Sequence, residues 1–142
     1  MSTHIVGLFE LIPRDARREI IRVLVEDAGL SKSEVARLMN VTPSAVTRFL
    51  RGEAAPSPEN LANLYYKLTA EEKLIVLNVV MSVAKQILSY LEYAVKEMSV
   101  NGDSLYARML EASLDEILDT VTHILESLSG VQRGSIITKD IS

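Results

Sequence analysis

The stretch SKSEVARLMNVTPSAVTRFLRG, from Ser31 to Gly52, decides the fold of this 142-residue chain. Ser31 and Glu34 stand at capping-box spacing, in which the hydroxyl takes the backbone N–H three residues on. A helix is therefore predicted from there through Met39. Asn40 follows, one of the few types besides Gly that tolerates a left-handed backbone. Thr42 caps a next helix, Pro43 takes its first position, and Arg51-Gly52 closes it. Two short helices joined by so tight a turn cross at a fixed angle, and the residue types fit that constraint. Ala36 is small where the second helix passes over it. Val35, Met39, Val41, Val46 and Phe49 form an apolar spine toward Ile21 and Leu24. Ser44, Thr47, Arg48 and Arg51 are left on the outer side.

Upstream, Pro13 opens a helix over Arg14 to Asp27, with Ile20, Ile21, Leu24 and Val25 at helical spacing. Gly29 ends it. Residues 1–12 are apolar without a clear period and read as a lead-in or a small helix. Downstream, EAAPSP (53–58) is a loop, and Pro58 starts a helix to Leu68. Thr69 and Glu72 make another capping box, which puts a domain boundary at 68.

From Ala70 to Ser99 there is no Pro or Gly, which predicts one helix about 45 Å long. Leu74, Leu77, Met81, Ala84, Leu88, Leu91, Val95 and Met98 alternate by three and four, a heptad seam fit for dimerisation. Val76, Val80, Val83, Ile87, Tyr90 and Ala94 form a second apolar stripe beside it. Residues 100–103 (VNGD) are a turn, with Asp103 or Ser104 as cap. A last helix repeats the seam with Ala107, Leu110, Leu114, Ile117, Val121, Ile124 and Leu128, while Glu111, Asp115, Glu116, Asp119 and Glu126 face water. Ser129-Gly130 is expected to stop it, leaving 131–142 as an unassigned tail. One hairpin cannot cover both stripes, but two can, as a dimeric four-helix bundle with C2 symmetry. The competing possibility is that the second stripe packs on the N-terminal domain.

Composition narrows the function classes. Hydrophobic residues make up 48% and aromatics only 5%, with no Trp, so the core must be aliphatic. The absence of Cys excludes disulfides, thiol chemistry and Cys-ligated metals. His4 and His123 are isolated, no catalytic motif appears, and neither an enzyme, a metal nor a cofactor is expected. The N-terminus lacks the basic lead of a signal peptide, and the longest apolar stretch, Leu74 to Ala84, is too short to span a membrane. A cytoplasmic protein without membrane contacts is expected. Net charge is −4, but residues 1–68 hold nine Lys/Arg against eight Asp/Glu, and residues 69–142 six against eleven. The acidity sits in the C-terminal half, so a nucleic-acid partner for the N-terminal half remains open.

From about 14 to 68 the chain resembles the XRE or phage-repressor helix-turn-helix regulators. The Arg51-Gly52 end, the Pro-containing loop and the following SPENLANLYYKL carry the likeness, and Asn40 stands where that family usually has Gly. The resemblance implies a lambda-repressor-like, five-helix all-α domain whose helix Thr42–Arg51 enters the major groove of double-stranded DNA. Pro43, Ser44, Thr47 and Arg48 would then face base edges, with Arg48 the best candidate for bidentate pairing to guanine. Lys32, Arg37, Thr42 and Arg51 would touch phosphates. The function so implied is a dimeric repressor on an inverted-repeat operator.

Two other readings compete. A helical interaction scaffold or antitoxin-like adaptor would use the same helix pair for protein contacts. An effector sensor would need a polar cavity, for which only Asn78, Ser82, Gln86, Ser89 and Tyr90 offer groups. Arg14, Arg17, Arg18 and Arg22 form a second basic cluster. It reads either as a solvated face paired with Asp15, Glu19 and Glu26, or as a phosphate contact.

Overall fold

The computed structural model describes residues 3–100 and 104–141, with the backbone alone for 99, 100, 104 and 131–141. Among these residues all regular structure is helical: α1 (Thr3–Leu11), α2 (Arg14–Glu26), α3 (Lys32–Met39), α4 (Pro43–Leu50), α5 (Pro58–Lys67), α6 (Ala70–Val100) and α7 (Ser104–Ile141). The chain divides into two compact units, Met1–Ser89 and Tyr90–Ser142.

The first unit holds one continuous core. Ile20, Ile21 and Leu24 of α2, Val35 and Met39 of α3, and Val46 of α4 are fully buried. Phe9 of α1 and Leu61, Ala62 and Leu64 of α5 join them. The lead-in is thus a true helix, whose Phe9 ring meets Tyr65 edge-on at 6.2 Å. Val76 of α6 is also buried, with Val79, Val80 and Val83 packed against the same cluster. That part of the second stripe therefore packs within the chain, on the N-terminal core. α6 itself continues past Ser89.

Side-chain caps fix where helices begin. Ser31, Thr42 and Ser57 each accept the backbone N–H three residues on, from Glu34, Ala45 and Asn60. Thr69 and Glu72 complete a reciprocal box at 3.2 and 2.9 Å. Only Leu68 and Thr69 separate α5 from α6, and Leu68 is buried.

The second unit is different in kind. Leu91 is 42% exposed, Ile117 44% and Leu125 56%. Among the described residues these side chains share no buried core. Both helices expected of the hairpin are present and most of their seam residues are exposed; of the turn expected at 100–103, Val100 belongs to α6 and 101–103 lie outside the described residues. α7 also corrects the sequence reading at its far end. It does not stop at Ser129-Gly130 but runs to Ile141. A single Gly in a helix costs only about 1 kcal/mol, and no Pro follows to break it.

One expectation needs a further correction. Ala70–Met98 has a window apolar enough, by length and composition, to cross a membrane, with mean hydropathy 1.7. The uncharged run from Leu74 to Ala84 ends at Lys85, a single charge that so apolar a segment tolerates. The same segment carries Val76, Val79, Val80 and Val83, which are engaged with the N-terminal core.

Candidate nucleic-acid interface

The turn between α3 and α4 is built as the residue types require. Asn40 has φ 60 and ψ 42, and it is the single non-Gly residue with positive φ among those described. The Val41 N–H reaches back to the Ala36 carbonyl at 3.0 Å, which closes α3 and redirects the chain. Ala36 is 2% exposed, so a larger side chain has no space there. Gly52, at φ 78, ends α4 while the Glu53 N–H bonds the Arg48 carbonyl. Val46 and Phe49 anchor the inner face of α4, and Val41 is half-buried beside them.

The outer face of α4 follows from that anchoring. Pro43, Ser44, Arg48 and Arg51 are exposed, and Thr47 is half-buried between them. At 100° per residue these five positions fall on one side of the helix, opposite Val46 and Phe49. The Thr47 hydroxyl donates to the Pro43 carbonyl at 3.3 Å, so its proton is used and its methyl is left for contact. Thr42 uses its oxygen as the cap of α4 and keeps its hydroxyl proton for another acceptor. Lys32 and Arg37 are exposed on α3. All eight residues singled out from the sequence thus lie on the two helices of the motif or at their caps.

Electrostatics separate this surface from the other basic cluster. Arg18 pairs with Asp15, and Arg22 with Glu19 and Glu26. The Arg22 guanidinium holds the Glu19 carboxyl below its usual range, mainly by direct hydrogen bonding. Arg17 donates to the carbonyls of Ile12 and Pro56, both at 3.0 Å, tying the start of α2 to the loop after α4. These three arginines are occupied, whereas Arg14, the fourth of that cluster, is exposed and has no carboxylate partner among the described residues. Lys32, Arg37, Arg48 and Arg51 have no carboxylate partner among the described residues. A cation not already paired with an acid is the one free to meet a phosphate or a guanine edge.

Sequence reasoning missed two supports of the site. Arg17 acts across 39 residues, a separation with no local signature. Lys67 donates to the Leu38 carbonyl at 3.3 Å, holding α5 against the end of α3 beside the turn. Its signal was a lysine in the last turn of a helix, a place where cations often find free carbonyls.

The polar stripe of α6 does meet a cleft. Ser82, Gln86 and Ser89 line an open space of about 640 Å³ against Asp15 and Glu19 of α2. Asn78 lines a second opening next to it, whereas Tyr90 is 69% exposed.

A buried helix pair with a left-handed turn and a solvent-facing basic second helix defines a DNA-binding helix-turn-helix. The comparison with known families agrees: residues 21–64 match the family described as Helix-turn-helix. The chain carries an XRE-like domain of that family and is, at that level, a DNA-binding regulator. No curated protein and no solved structure matches it.

Proposed function

We propose that the protein is a homodimeric, sequence-specific regulator acting as a repressor at an inverted-repeat operator. The observation that carries the DNA reading is the set of exposed, acid-free cations on α3 and α4. In this reading Pro43, Ser44, Thr47 and Arg48 read base edges, and Lys32, Arg37, Thr42 and Arg51 hold phosphates. The seam from Leu74 to Met98 supplies the dimer, and its exposed members from Met81 onward have no other use in a single chain. A dimer that covers its operator represses by occupancy. Such a protein works where the DNA is, which places it in the cytoplasm. The valines that bind α6 to the N-terminal core argue for helix packing over membrane insertion.

Binding to a duplex pool across a salt series tests the core of this proposal. Three phosphates neutralised by Lys32, Arg37 and Arg51 predict that log K falls against log salt with a slope of about −2.7 per protomer. Flat binding, or none, would favour the scaffold in which the helix pair contacts protein. Spacing tests the dimer: half-sites should lie about 10–10.5 base pairs apart or at a multiple. Inserting about half a turn between them should abolish the affinity gained from two sites.

A further inference from the structure

The outer face of α4 has two flanks of different chemistry. At 100° per residue, Pro43 and Thr47 stand on one side of Ser44, and Arg48 stands on the other. Arg48 offers a guanidinium with no carboxylate partner among the described residues. The opposite flank has no donor to offer. Pro43 lacks an N–H, and the Thr47 hydroxyl gives its proton to the Pro43 carbonyl at 3.3 Å. What remains there is carbon: the ring of the exposed Pro43 and the γ-methyl of the half-buried Thr47. The base edges narrow what such a flank can read. In the major groove the C5-methyl of thymine is the one apolar group, and the other positions present donors or acceptors. Covering those with carbon would strip their water and return no hydrogen bond. The Thr47 oxygen still has lone pairs, so the amino group of adenine or cytosine is the competing occupant. The two differ in which group of Thr47 they need.

We infer that the Thr47 γ-methyl reads the C5-methyl of a thymine, on the flank of α4 opposite the guanine taken by Arg48. This rests on the DNA reading above and names the base that Thr47 selects. Arg48 then supplies the polar half of the readout and Thr47 the apolar half.

Operators selected by the full chain from a random duplex pool should share a thymine near that guanine. Each selected thymine is then replaced by deoxyuridine, which removes the methyl and leaves every hydrogen-bonding group in place. At one position affinity should fall about fourfold, the worth of one buried methyl. Thr47→Ser keeps the hydroxyl and drops the methyl, so it should bind the thymine and deoxyuridine duplexes alike. Thr47→Val drops the hydroxyl and keeps a methyl, so it should retain the fourfold difference. At the same position, 5-methylcytosine should bind the wild type more tightly than cytosine by a similar factor. Discrimination that survives Thr47→Ser, or that is lost in Thr47→Val, would overturn the methyl contact. An operator in which no thymine is sensitive to the replacement would overturn it too, while sequence-specific binding itself stands. A chain that selects no sequence loses the sequence-specific reading together with this inference.

Discussion

The N-terminal helices and the two long helices are made from the same aliphatic residues, yet they use them in opposite ways. Ile20, Ile21 and Leu24 are wholly buried by their own chain, whereas Met81, Ile87 and Leu118 are each more than half exposed. Short helices joined by tight, capped turns can fold back on one another. α6 and α7 are far longer, 31 and 38 residues, and of α6 only residues up to Val83 join that core. The first region buries its own core, whereas the second leaves many large apolar side chains exposed.

The largest test of that contrast removes core volume. Leu24→Ala should cost about 2–5 kcal/mol of domain stability, read as a lower denaturant midpoint. Ile117→Ala should leave that midpoint unchanged at concentrations where the chain is monomeric. Equal losses would mean that the long helices already share the domain's core.

Charge at the seam comes next. Leu88→Glu places a carboxylate where the dimeric reading buries an apolar side chain, and burial without a partner is costly. Sedimentation should show a dimeric wild type and a monomeric variant. Far-UV circular dichroism should still report a folded N-terminal domain, since Leu88 lies outside its core. A monomeric wild type at micromolar concentration would break the comparison at its second half.

How much of this was legible depended on distance along the chain. The helix pair was legible because its signals are local: a cap at Ser31, a left-handed residue at Asn40, Thr42-Pro43 and a closing Gly52. The eight residues assigned to the interface came from the resemblance to the XRE regulators, and helical geometry alone placed only Ser44, Thr47, Arg48 and Arg51 on the outer side. α1 was legible only as one of two alternatives, because Phe9 packs on the distant Tyr65 and four other apolar residues blur its period. The division of α6 was not legible. Val76 and Val83 look like Ile87 and Ala94 in sequence, and only the tertiary fold decides which of them meet α2 to α5. Arg17 and Arg18 differ in role for the same reason, since the Pro56 carbonyl is a contact no window of sequence contains.

Within the N-terminal domain the comparison sharpens to two basic surfaces. Arg48→Ala should weaken binding to the operator by about 1–3 kcal/mol and leave random duplex nearly unaffected. Arg22→Ala should change neither, because its guanidinium is spent on Glu19 and Glu26. Gel-shift titrations with both duplexes decide it. Equal losses on specific and random DNA would make Arg48 a phosphate contact.

The smallest effect concerns the paired surface itself. Glu19 is held below its usual range by Arg22, so its ionised form is favoured in the folded state. A lowered folded value means that the stabilisation is present above about 4.5, the value for an unpaired Glu, and fades as pH falls through the lower folded value. Both partners are about two-fifths exposed, so water and salt screen the pair. Glu19→Gln should therefore cost only about 0.3–0.5 kcal/mol at neutral pH and low salt. Thermal melts of the two proteins should differ by a small, reproducible shift at pH 7, converge toward pH 2, and converge again in 1 M salt. A difference that survives both acid and salt would mean that Glu19 acts by packing against α6 and not through Arg22. The α2 surface would then lose the electrostatic account that sets it apart from α4.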